Sequence, residues 1–155
     1  MPQPKNVIDI LKTDHERVKQ LLKNFDIAAE SEKVELLSNI INELALHSTV
    51  EEQLVYPLVE DVELSSRAGE EHHVVSLLLS ELADMDAADE ETKIKVQVLA
   101  ELVIHHVQEE ETKLLPMLQR SGEDLIALGE QVMAQKQNLI SNVRRLSDRR
   151  RRRAS

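Results

Sequence analysis

Apolar residues recur along the chain at steps of three and four, the period of one helix face. The first such stripe covers about residues 6–29, with Ile8, Leu11, Val18, Leu22 and Phe25 in phase. A second covers about 32–60, with Ser31 as the expected N-cap and Leu37, Ile40, Ile41, Leu44, Leu54, Val55 and Leu58 in phase. Pro57 is expected to kink or end it. A loop is predicted around "ELSSRAG", then a third stripe at about 67–85 through Val75, Leu79 and Leu82. The turn "DMDAADEE" leads to a fourth stripe at about 90–118, with Leu99, Val103 and Met117. Ser121 and Asp124 give a capping signal for a fifth, amphipathic helix carrying Leu125, Leu128, Val132, Leu139, Val143 and Leu146. Short links between the first four favour an all-α, antiparallel up-and-down four-helix bundle with an additional C-terminal helix. The expected domains are residues 1–120 for the bundle, 121–148 for the helix packing on it, and 149–155 for a basic disordered tail.

Polar residues interrupt these stripes at matching places. "DHERVKQLL" (14–22) and "EHHVVSLLL" (71–79) share an acid, a His, and apolar residues three, six and seven positions after the His. "HSTVEEQLVYP" (47–57) and "HVQEEETKLLP" (106–116) share His, Glu four and five residues later, and Pro at ten. The first two helices thus repeat as the third and fourth. Facing hairpins would set His15, His47 and Glu51 opposite His72, His106 and Glu110. Residues four apart share a helix face, so His47 and Glu51, like His106 and Glu110, point the same way, into the core. Buried carboxylates need compensation, and no Lys or Arg falls in phase to supply it. Two divalent cations would do so, each held by two His and by an oxygen from each of two bridging Glu. An oxo or hydroxo bridge would add a fifth ligand and leave one octahedral position open. Mixed imidazole and carboxylate donors suit iron, with manganese or zinc as rivals.

Any one of these His alone reads more naturally as an ordinary core or surface residue; the duplicated, flanked motif is what points to metal. His73 and His105 lie about 100° around their helices from the candidate ligands and are expected at the surface or beside the site. The rival register His105 with Glu109 is set aside because its face also carries Glu101 and Thr112. Glu52 and Glu111 are expected to be exposed or to support the ligands, and Tyr56, Pro57 and Pro116 to serve packing and helix shape.

At these residues the chain resembles the hemerythrin-like family of HHE cation-binding domains, over about residues 6–140. "DHERV", "HSTVEEQLVYP", "EHHVV" and "HHVQEEETKLLP" carry the likeness, and "DLIALGEQVMAQK" is similar to the helix that often follows the bundle. The resemblance implies a non-haem di-iron centre that binds dioxygen in invertebrate carriers and serves oxygen, iron, nitric oxide or peroxide responses elsewhere. It implies His15, His47, Glu51, His72, His106 and Glu110 as ligands, with Glu51 and Glu110 as bridges. Two departures stand out: the carriers have His-x-x-x-His on the third helix, where Ser76 stands here, and His-x-x-x-x-Asp on the fourth, where this chain has His-x-x-x-Glu. One His fewer argues against reversible oxygen carriage and for sensing or redox turnover.

Composition narrows the field. The chain has 155 residues, no Cys and no Trp, which excludes disulfides, thiolate nucleophiles and iron–sulfur clusters. The start lacks an apolar leader and no run of about 18 apolar residues occurs, which predicts a cytoplasmic protein without membrane attachment. Net charge is -10; seven Arg and one Asp from 144 onward leave -16 on the preceding body, which argues against nucleic acid as a main partner. The expected partner is a small gaseous or peroxide ligand, with a homodimer through the C-terminal helix left open. Three functions compete: a di-iron protein that senses or stores a small molecule, a catalase- or peroxidase-like di-iron enzyme, and a structural helical domain without metal.

Overall fold

The structure, a computed structural model, describes residues 5–154, with the side chains of 146–148 and 154 outside the description, so the expected place of Leu146 is outside it too. Helix α1 is Val7–Ile27, capped by Asn6, whose side chain accepts from the Ile8 N–H at 2.8 Å. Helix α2 is Glu30–Val50; it begins one residue before the expected cap, and Ser31 lies inside it. It continues through a wide i→i+5 turn, Glu51–Val55, and ends in a tight turn, Tyr56–Leu58, that holds Pro57. Helix α3 is Val62–Ala83. The predicted loop around 63–69 is therefore helical: the Asp61 carboxylate accepts from the Leu64 N–H at 3.0 Å and starts the helix five residues early. Helix α4 is Glu90–Glu109, followed by its own wide turn, Glu110–Leu114, and a last α-helical turn, Leu115–Gln119. Gly122, at φ 85°, turns the chain where a Cβ would be strained. Asp124 then accepts from the Ala127 N–H at 3.0 Å at the start of α5, Leu125–Ala154.

The Arg run at 149–153 continues α5 rather than forming a separate tail. Arg is a good helix former, and positive charge at a helix C-terminus suits the macrodipole.

The four bundle helices alternate in direction, and their apolar side chains fall into two clusters. One joins Val18, Leu22 and Phe25 of α1 to Leu37, Ile40 and Leu44 of α2, Val75, Leu79 and Leu82 of α3, and Val96, Leu99, Val103 and Val107 of α4. The other holds Val7 and Leu11, Val50 and Val55, Ala68, and Leu114, Leu115 and Leu118. Helix α5 packs on α1 and α2 and adds Leu128 and Val132 to this second cluster. Its close approach rests on Gly129, where a Cβ would stand 2.2 Å from the Lys5 carbonyl oxygen. Between the clusters lies a single buried polar layer. Among the described residues, no helix is long and apolar enough to cross a membrane.

Candidate metal centre

Each bundle helix sends one imidazole into the polar layer: His15 from α1, His47 from α2, His72 from α3 and His106 from α4, all buried. Glu51 and Glu110, one turn beyond His47 and His106, lie between them and are 0% and 2% exposed. The His15 and His47 Nε2 atoms are 3.1 Å apart, and those of His72 and His106 are 3.0 Å apart. Donors held about 2.1 Å from one ion at a near-right angle are separated by about 3 Å. Two overlapping groups result, His15–His47–Glu51–Glu110 and His72–His106–Glu51–Glu110, with the ligand atoms of each within 4.8 Å of one another. Both share the two carboxylates.

Three of the four outward nitrogens also have hydrogen-bond partners. His15 Nδ1 meets Glu111 at 2.9 Å, His47 Nδ1 meets Asp14 at 3.3 Å, and His72 Nδ1 meets Glu52 at 3.2 Å. His106 Nδ1 faces Glu71 at 3.6 Å, an ion-pair distance too long for a hydrogen bond. The four contacts run in a ring: an acid on each helix, next in sequence to a candidate ligand, serves the His of the neighbouring helix. Carboxylates that accept from Nδ1–H place the proton outward and leave the Nε2 lone pair facing inward, as a metal ligand requires. Glu52 and Glu111, expected to be exposed or to support the ligands, do the latter. The acid–His dipeptides at 14–15 and 71–72 mark Asp14 and Glu71, but their cross-helix targets could not be read from one strand of sequence.

Tyr56 takes a different place from the one expected. Its hydroxyl donates to Glu110 at 2.8 Å and stands 3.0 Å from His72 Nε2 and 3.4 Å from His106 Nε2. It is a buried oxygen within the His72–His106 group. In a regular α-helix the fifth residue after Glu51 would lie about 140° around the axis; the i→i+5 turn that closes from the Tyr56 N–H to the Glu51 carbonyl brings it back over Glu51. The proline that follows explains the turn, since its ring clashes with the carbonyl four residues earlier and it has no N–H. Pro116 stands in the same relation to Glu110. Ser76 is exposed and bonds the His73 carbonyl, outside the site. His73 and His105 are exposed as well.

Electrostatics describe a site short of positive charge. Burial, then the charge of Glu110, push the Glu51 carboxyl well above its usual range. Burial would raise Glu110 too, but its close neighbours Glu51, His106 and His15 hold it well below that range. Burial and the neighbouring His106 charge pull His72 down to about 3. Burial and the two carboxylates push the Tyr56 phenol up. Both oxygens of Glu51 and Oε1 of Glu110 are buried without a hydrogen-bond partner among the described residues. Native interiors rarely leave carboxylate oxygens so placed. Four inward Nε2 atoms around them form a donor set that fits metal ions.

Residues 6–118 match the family described as the hemerythrin HHE cation-binding domain. The chain belongs to this family. Among solved structures, a hemerythrin HHE cation-binding domain-containing protein from Mycobacterium kansasii is similar to this HHE domain, at 25% identity and a TM-score of 0.76 over 86% of each chain. No curated protein matches the sequence. Family and buried His/Glu groups together mark a metal-binding helical bundle.

Proposed function

We propose that the protein is a non-haem di-iron protein whose open iron position binds or reacts with a small molecule: dioxygen, nitric oxide or peroxide. In this reading His15 and His47 would hold one iron and His72 and His106 the other, with Glu51 and Glu110 shared by both groups. The observation that carries it is that both Glu51 oxygens and Glu110 Oε1, buried without a hydrogen bond among the described residues, lie among four inward-facing imidazole nitrogens. Iron so held supplies Lewis acidity and one-electron chemistry toward small oxygen and nitrogen ligands. The chain supplies the rest. The ring of acids fixes the imidazole tautomers. Val18, Leu44, Val75, Val103 and Val107 wall a cavity of about 20 Å³ beside the four His, room for a molecule of one or two heavy atoms.

Tyr56 favours a second reading, a peroxide-consuming enzyme. Its O–H is a buried hydrogen-bond donor beside the His72–His106 pair. Anaerobic iron loading, with spectra taken before and after separate additions of dioxygen, nitric oxide and peroxide, tests both readings. A stoichiometric spectral change without turnover supports binding. Oxygen release from peroxide, slowed in Tyr56→Phe, supports the enzyme. A loaded protein indifferent to all three additions contradicts both.

A further inference from the structure

Of the four acids that face the imidazoles, one is unlike the others. Asp14 is 4% exposed at its side chain, whereas Glu52 is 47% exposed and Glu71 and Glu111 are each 26% exposed. Asp14 alone among the four is paired to cations by the described residues. The Lys136 ammonium, 12% exposed, reaches in from α5 to Asp14 Oδ2, the same oxygen that meets His47 Nδ1. Arg17 approaches Oδ1 at 3.4 Å. A groove of about 750 Å³ between α1, α2 and α5 runs past Asp14, Arg17 and Lys136, walled by Ile10, Leu46 and Met133. The symmetry of the four-helix repeat is thus broken at one point by the additional helix.

We propose that Lys136 is a positioning residue that makes the two metal positions unequal, by drawing down the carboxylate that polarises His47. This rests on the di-metal reading above. An acid accepting from Nδ1–H raises the donor strength of Nε2, and changing such acids shifts metal affinity by roughly 10–100-fold. Lys136 competes for the charge of Asp14 and adds a positive charge near the His15–His47 position. Among the described residues, no Lys or Arg is paired with the other three acids. The His15–His47 ion is therefore the more weakly held.

Cobalt(II) titration of the full chain against a competing chelator, followed by its visible bands, tests this. Wild type takes up two ions of unequal affinity; His47→Ala removes the weaker and His72→Ala the tighter. Lys136→Met, and Lys136→Gln beside it, tighten the weaker ion roughly tenfold and leave the tighter within about twofold, while Asp14→Asn weakens the weaker ion roughly tenfold. Lys136→Arg keeps wild-type affinities. The opposite signs matter, because a merely structural ion pair would weaken binding whichever partner was removed. Lys136→Met that weakens the ion, or leaves it unchanged, overturns the proposal. Wild type that takes up no cobalt overturns the di-metal reading itself, a distinct result.

Discussion

Glu51 shows how one residue can be costly for an empty site and required for a filled one. It is fully buried, its oxygens have no hydrogen-bond partner among the described residues, and its carboxyl is held well above the usual range by burial and by Glu110. An acid whose pKa is raised on folding favours the folded state below its unfolded pKa, and that contribution is lost as pH rises. Metal-free Glu51→Gln should therefore match wild type near pH 4 and exceed it by ~1–3 kcal/mol at neutral pH. Denaturant unfolding in chelator at several pH values measures the gap, and a variant less stable than wild type at pH 7 contradicts it. Added metal should reverse the order. At Tyr56, removing the hydroxyl that donates to Glu110 should cost the metal-free protein about 1 kcal/mol, and thermal unfolding of Tyr56→Phe reads this directly.

At the scale of elements, Gly129 decides where α5 can lie. A Cβ there meets the Lys5 carbonyl at 2.2 Å and Ile10 Cδ1 at 3.2 Å. Gly129→Ala should push α5 from α1 and destabilise by ~1–3 kcal/mol in denaturant unfolding, although Ala is the better helix former. The helices and their order were legible because their apolar stripes are long, His47, Glu51, His106 and Glu110 because His and Glu four apart on one stripe share a face, and His15 and His72 because they fall in phase with apolar neighbours. Helix ends were less legible. The start of α3 depends on an Asp61 cap that outweighs the Ser- and Gly-containing stretch after it. The position of Tyr56 depends on a wide turn that shifts the phase of the helix just past Glu51, which a fixed 3.6-residue period misplaces. The Asp14–His47 and Lys136–Asp14 contacts join different helices, and a local pattern carries no signal for them.

At the scale of the molecule, the bundle is two apolar clusters separated by a polar layer to which all four helices contribute. Such a layer holds the helices together only if its charges are compensated. Cations in it would link α1, α2, α3 and α4 at once. Metal binding should accordingly stabilise the fold, by roughly 2.7 kcal/mol at a free-metal concentration about one hundred times Kd. Chelation should lower the melting temperature, and a melting temperature indifferent to chelator contradicts this coupling. The most direct test is metal content. Protein loaded anaerobically with ferrous iron and freed of excess should carry close to two iron equivalents per chain, and Glu51→Gln/Glu110→Gln close to none. Wild type without iron, or a double variant that keeps both equivalents, would contradict a centre built on these carboxylates.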